Sequence, residues 1–221
     1  MKVMLGIPTG EFGRRADFYD YFNALEKPEG TVIMSSHGQS PAKNRNLIIE
    51  QALKNDCTHV LFIDDDMAFE PDAMIRILKH ADKDVVFGLY LLRNFPHYPV
   101  IFDEKHDDGR CKFMFLKPEM EGVIEVINGG TGFVLIKTDV FRALEKPWIR
   151  LGEIVSDEWC DDVGFFNRVK AAGFHLYCDL SIRLGHMMNV TLWPAKKQDG
   201  WYSSYVTGTG DTVDFPQKTE L

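Results

Sequence analysis

The sequence lacks several features that would point to common protein classes. Its four cysteines have no CxxC spacing, which argues against a zinc site or a disulfide framework and favours reduced thiols in a cytosolic protein. No apolar run approaches the roughly 18 residues of a membrane-spanning helix, so we expect no membrane span. GxGxxG does not follow the first apolar segment, and GxxxxGK followed by Ser or Thr is absent. Both absences argue against the common nucleotide-binding loops.

Basic residues are also in short supply. The chain has 25 Lys and Arg against 33 Asp and Glu, a net charge of −8, which disfavours nonspecific binding to DNA or acidic membranes. The nearest approaches to a basic cluster are Arg14-Arg15 and Lys196-Lys197, although folding could still gather scattered arginines on one face. With 221 residues, 45% of them hydrophobic, the chain has the size and composition of one globular domain with an extension.

Apolar strands alternate with amphipathic helices in the first half of the chain. Strands are predicted over residues 2–7, 31–34, 60–63 and 85–88, and helices over 14–25, 42–54 and 71–80. Ser40 is placed to cap the second helix and Pro41 to open it, with Leu47 and Ile48 on its apolar side. This alternation predicts an α/β fold with a mainly parallel central sheet and helices on both faces.

The second half of the chain has a different character. Residues 91–121 are rich in Pro, Phe, His and charge, which is typical of loops with short edge strands. A glycine-rich turn at 128–132 and a helix from Asp161 to Ala172 follow. Two short strands are then predicted at 176–178 and 182–185.

One strand ends in three carboxylates. Four apolar residues, 60–63, run directly into Asp64, Asp65 and Asp66. Ligands of open α/β sheets gather at the carboxyl ends of the strands, and carboxylate oxygens suit Mg²⁺ or Mn²⁺. The run therefore favours a metal site, and the alternative is a solvated acidic turn before the helix near Pro71.

Several motifs occur in an order that resembles the GT-A-fold glycosyltransferases, most closely those of family 2. They are Ala42-Lys43-Asn44-Arg45-Asn46, Asp64-Asp65-Asp66, Gly129-Gly130-Thr131-Gly132-Phe133, Asp161 to Arg168, and Gly185-His186. The resemblance covers about 1–190, and it implies one catalytic domain with a short mixed acceptor-side extension. Its donor half would be about 1–90 and its acceptor half about 91–190. Residues 191–221 would be a C-terminal tail or flap.

The resemblance implies a metal-dependent donor site. Asp64 and Asp66 stand at the DxD positions that hold Mn²⁺ or Mg²⁺ on the donor diphosphate, with Asp66 as the direct ligand. His186 stands where many such enzymes have a third ligand, although a lone histidine is more often structural. The remaining donor-side candidates are Pro8 and Thr9 at the base, Arg45 near the nucleotide, and Asp65. An extended chain would direct Asp65 the opposite way, which favours a surface or capping role for it.

The same resemblance implies the catalytic and acceptor residues. Asp161 and Asp162 match an acidic pair whose second member is the general base of inverting enzymes, which takes the proton of the acceptor hydroxyl. Asp161 departs from the usual Glu. Without the resemblance, the pair would be a cap and a first-turn acid of a helix. Gly130 and Thr131 correspond to the acceptor-side loop, and Trp159 is placed to stack on a sugar or to join the core.

These residues predict an inverting, metal-dependent glycosyltransferase of the cytoplasm that uses a nucleoside-diphosphate sugar, most commonly a UDP-sugar. A carbohydrate or small hydroxyl acceptor is favoured. The alternatives are a phage-type glycosyltransferase acting on hydroxymethylated DNA bases, a nucleotidyltransferase, and a non-catalytic nucleotide-sugar binding protein. An acid, Glu11, follows the first strand where nucleotidyltransferases carry a basic loop, which counts against that class.

Overall fold

The computed structural model describes residues 1–10, 16–105, 110–152, 154–155, 158–159, 161–208 and 210–216. The helices are α1 (Phe18–Ala24), α2 (Pro41–Lys54), α3 (Ala73–Leu78), α4 (Thr138–Ala143) and α5 (Asp161–Ala171). The first strands are β1 (Val3–Pro8), β2 (Val32–Ser36), β3 (His59–Ile63), β4 (Met67–Ala68), β5 (Val85–Leu89), β6 (Ile101–Lys105), β7 (Cys111–Phe113), β8 (Val123–Val126) and β9 (Asn128–Gly129). The others are β10 (Phe133–Lys137), β11 (Ile154–Val155), β12 (Glu158–Trp159), β13 (Leu176–Arg183), β14 (Gly185–His186), β15 (Val190–Lys197), β16 (Gly200–Thr207) and β17 (Thr212–Pro216).

The central sheet has seven strands in the order β2-β1-β3-β10-β5-β13-β8. Five strands run in one direction, whereas β10 and β8 run the opposite way, so the mainly parallel sheet predicted from the sequence is confirmed. The strand β10 is antiparallel because it starts at the edge where β3 ends, and the Asp64 amide donates to the carbonyl of Gly132 at 2.9 Å. Strands of both halves of the chain therefore form a single sheet.

Helices cover both faces of this sheet. One core lies between the sheet and α2, α4 and α5, and includes Ile48, Phe141 and Phe166. The other lies on the α1 and α3 side and includes Phe18 and Met74. Both faces of the middle strands are consequently apolar, as strands buried between two layers require.

Helix α2 begins as the sequence predicts, with Pro41 as its first residue. Ser40 caps it, and the Ser40 hydroxyl accepts from the Lys43 amide at 3.4 Å. The assignment of Leu47 to the apolar side is wrong, because Leu47 is exposed and Ile49 is buried instead. The buried face of α2 also includes Asn44 and Arg45, so its first turn delivers two polar side chains into the protein.

Two features of the second half differ from the simplest sequence interpretation. The two short strands predicted at 176–178 and 182–185 are one strand, β13, with an irregular register between Asp179 and Arg183, followed by β14. The last three strands form a separate antiparallel sheet in the order β15-β16-β17. Among the helices of the described residues, none is long and apolar enough to cross a membrane.

Candidate functional site

Asn44 fixes the carboxyl end of β1. Its amide nitrogen donates to the carbonyls of Thr9 at 2.8 Å and Gln39 at 3.0 Å, and its amide oxygen accepts from the Ser36 hydroxyl at 2.9 Å. Both Pro8 and Thr9 are buried at this strand end. Asn44 belongs to the helix-start motif, but the sequence did not predict its contact with the end of β1, because Thr9 lies 35 residues away in the chain.

Arg45, which is buried, and Asp64, which is half-buried, form an ion pair at the carboxyl end of β3. Arg45 Nη2 lies 2.6 Å from Asp64 Oδ1 and 2.8 Å from Asp64 Oδ2. Burial raises the pKa of Asp64 to about 6; the Arg45 pair opposes this rise, and the nearby Asp66 and Asp162 carboxylates add to it. For Arg45, burial acts to lower the pKa, but Asp64 and Asp162 outweigh it and raise the pKa. The carboxylates of Asp64 and Asp162, which belong to motifs far apart in sequence, therefore both raise the pKa of the Arg45 guanidinium.

Asp66 lies beside His186, as the predicted metal site requires. The short strands β4 and β14 pair antiparallel, with His186 opposite Met67, and His186 Nε2 is 3.5 Å from Asp66 Oδ2. Arg93 Nη1 contacts the same oxygen at 3.0 Å. Burial acts to raise the pKa of Asp66, but His186 and Arg93 outweigh it and lower the pKa. The sequence did not predict that Arg93 would lie here.

Two of the three predicted metal ligands, Asp66 and His186, face each other, but Asp66 also pairs with Arg93. The Leu91 carbonyl accepts from His186 Nδ1 at 2.9 Å, which fixes the ring with Nε2 facing Asp66. Asp64 instead directs both oxygens at Arg45. Accordingly, no group of three His, Cys, Asp or Glu side chains is arranged to hold a metal within the described residues. Asp64, Asp66 and His186 as metal ligands all stay predictions.

The chain turns at Asp65 and Asp66, where the Met67 amide donates to the Asp64 carbonyl at 3.2 Å. The extended conformation assumed for Asp65 is therefore wrong, and its side chain is half-buried. Its assignment to the donor side stays a prediction.

Asp162 is held against the glycine-rich turn. Its Oδ2 accepts from the Thr131 amide at 3.1 Å and from the Thr131 hydroxyl at 3.0 Å. Asp161, one residue earlier, accepts from the Gly152 amide at 2.9 Å. Each carboxylate at the start of α5 is thus oriented by a loop that packs against it.

Tyr90 connects the two motifs. Its hydroxyl accepts from the Gly132 amide at 3.2 Å, and its ring meets the His186 ring edge-on, with centroids 5.4 Å apart. Burial, followed by the negative charges of Asp162 and Asp64, raises the pKa of Tyr90, so the phenol is neutral. Tyr90 was missed because an apolar strand end predicts a core residue.

A cavity of about 440 Å³ opens beside the acidic pair, within the size range of small-molecule sites. The described residues that line it are Val100, Phe102, Gly129, Gly130, Leu151, Gly152, Asp161, Asp162 and Val163. The cavity thus joins Gly130 of the predicted acceptor loop to both predicted catalytic acids. The side chain of Trp159, the third acceptor candidate, lies outside the described residues.

Gly130→Ala is expected to destabilise the protein by about 1–3 kcal/mol, the cost of overpacking a filled site. A β-carbon at this position would lie 2.1 Å from the Tyr90 hydroxyl and 2.7 Å from Val100 Cγ1. Urea unfolding measures the change. Gly10→Ala is the control, since nothing lies within 4 Å of its β-carbon. Tyr90→Phe should recover part of the loss in the double variant, and equal stability of Gly130→Ala and wild type would contradict the packing described.

No protein-family model matches the sequence, and a comparison with curated proteins finds no relative. The structure is similar to that of A197 from STIV, with a TM-score of 0.56 and 19% identity over 100% of this chain and 97% of that one. It is also similar to GalNAc-T7 with UDP, GalNAc and Mn²⁺, with a TM-score of 0.58 and 9% identity over 84% of this chain and 43% of that one. At these identities the likeness shows the fold alone, an α/β sheet of the GT-A type.

Proposed function

We propose that the protein is a glycosyltransferase that moves a sugar from a nucleoside-diphosphate donor, most commonly a UDP-sugar, to a hydroxyl acceptor with inversion. The observation that carries the proposal is the convergence of the two acidic motifs on the glycine-rich turn: the Asp64 amide donates to the Gly132 carbonyl at 2.9 Å, and Asp162 accepts from the adjacent residue, Thr131. A donor-binding group and a proton acceptor must lie this close if a hydroxyl is to attack a bound sugar.

Asp162 is the general base of the proposed reaction. The acceptor hydroxyl gives its proton to Asp162 as its oxygen forms a bond to the anomeric carbon, and the bond from that carbon to the diphosphate oxygen breaks. Thr131 holds one carboxylate oxygen of Asp162 through two hydrogen bonds, and Asp162 lines the cavity. Asp161 positions the Leu151–Gly152 turn at the same cavity.

The donor diphosphate belongs beside Asp66 and His186. A divalent cation, Mn²⁺ or Mg²⁺, would neutralise the charge that grows on the leaving diphosphate, with Asp66 and His186 as its protein ligands. Arg45 and Arg93 add fixed positive charge to this edge of the sheet. GalNAc-T7, which has the same fold, is described with UDP, GalNAc and Mn²⁺, and this supports the choice of donor and metal.

The proposal is tested by a donor-hydrolysis screen with UDP-, GDP-, CDP- and dTDP-sugars, each with and without Mn²⁺. We expect one nucleotide to be preferred and its hydrolysis to require the metal. A chain that binds a nucleotide sugar but never releases the nucleoside diphosphate would be a binding protein, and release of pyrophosphate would indicate a nucleotidyltransferase. Absence of both binding and hydrolysis would refute the proposal.

A further inference from the structure

The cavity beside Asp162 has walls of two kinds. Val100, Phe102, Leu151 and Val163 form apolar surfaces, and Asp161 and Asp162 are the only charged side chains among the described residues that line it. The backbone of Gly129 and Gly130 completes the wall where side chains have no room, since a β-carbon on Gly129 would lie 2.9 Å from the Phe87 ring. The cavity therefore offers apolar contact and negative charge to a ligand.

Both charges at the cavity are negative. Asp161 and Asp162 stand at the start of α5, and the described residues that line the cavity include no Lys, Arg or His. A phosphate or carboxylate on the acceptor would enter against these like charges, which is a means of rejecting the wrong ligand.

We infer that this cavity selects uncharged polyhydroxyl acceptors with one apolar face, such as the ring of a glycoside, and rejects phosphorylated or otherwise anionic ones. The inference rests on the proposed function only where it calls the ligand an acceptor. The selectivity of the cavity can be measured as binding, without any transfer reaction. A neutral sugar donates a hydroxyl to Asp162 and lays its C–H face on Phe102, Val100 or Leu151. A hydroxyl carried on a phosphate backbone is disfavoured for the same electrostatic reason.

The test is a matched pair of probes, phenyl β-glucopyranoside and its 6-phosphate, titrated into the full chain. The backbone amide signals of Gly129, Gly152 and Val163 report binding at the cavity. We expect the neutral probe to shift these signals and the phosphorylated probe to bind at least about 10-fold more weakly. Added salt should narrow the difference because it screens the repulsion. Equal or tighter binding of the phosphorylated probe, or no shift with the neutral one, would overturn the inference.

Leu151→Lys sharpens the test. Leu151 is 61% exposed at the mouth of the cavity, so a longer polar side chain can be accommodated without disturbing the core. The introduced cation should improve binding of the phosphorylated probe relative to the neutral probe by about 10-fold, whereas Leu151→Gln, of similar length and no charge, should leave the ratio unchanged. Donor hydrolysis is measured separately, so that its failure refutes the glycosyltransferase proposal while the probe titration still decides the selectivity.

Discussion

Asp162→Asn is expected to lower the rate of sugar transfer by roughly 10²- to 10⁴-fold, the scale of a lost general base, while donor binding is unchanged. The asparagine side chain keeps the shape of the aspartate, and its oxygen can accept from the Thr131 backbone amide and hydroxyl. In the wild-type protein these two donors lie 3.1 and 3.0 Å from Asp162 Oδ2. What the substitution removes is proton affinity. Steady-state transfer and calorimetric titration with UDP separate the two effects.

Asp161→Asn is the matched control for this variant. Asp161 lies on the same helix turn and lines the same cavity, but its carboxylate is oriented by the Gly152 amide rather than by Thr131. An amide oxygen can accept that hydrogen bond, so we expect a much smaller loss of transfer. If Asp162→Asn kept its rate within a few-fold of wild type, Asp162 would be no more than a first-turn acid of α5.

Asp66→Ala is expected to abolish Mn²⁺-dependent binding of UDP. Loss of a group outside the metal's ligand shell commonly costs roughly 10- to 100-fold in affinity, and loss of a direct ligand should cost more. Asp66 Oδ2 is the carboxylate oxygen that lies 3.5 Å from His186 Nε2, so its removal leaves His186 without its partner ligand. Calorimetry with UDP, in the presence and absence of Mn²⁺, measures the metal-dependent part of the affinity.

Two further variants make the Asp66 result specific. His186→Ala should weaken the same metal-dependent affinity, because it removes the other ligand of the pair. Asp82→Ala removes a carboxylate that is exposed and pairs only with Lys83 among the described residues, and it should leave UDP binding as in wild type. An Asp66→Ala protein that retained full Mn²⁺-dependent affinity would exclude Asp66 from the metal site.

The sequence alone determined the layered α/β fold and the two acidic motifs, because both are local patterns. Helical periodicity and the capping residue identified α2 and its first residue, and the apolar run before Asp64 identified β3. Local patterns are less informative about helix phase and strand continuity. Leu47 was placed inside in place of Ile49, and β13 was divided in two at its irregular register.

Only the tertiary structure decided which charges meet. Four pairs of side chains illustrate this: Arg45 with Asp64, Arg93 with Asp66, His186 with Asp66, and Thr131 with Asp162. The two members of a pair lie between 19 residues apart, for Arg45 and Asp64, and 120 residues apart, for Asp66 and His186. Such pairs depend on strand order, on the direction of β10 and on the pairing of β4 with β14. No local periodicity encodes these relations, because they arise when separate strands add to one sheet and bring their ends to the same edge.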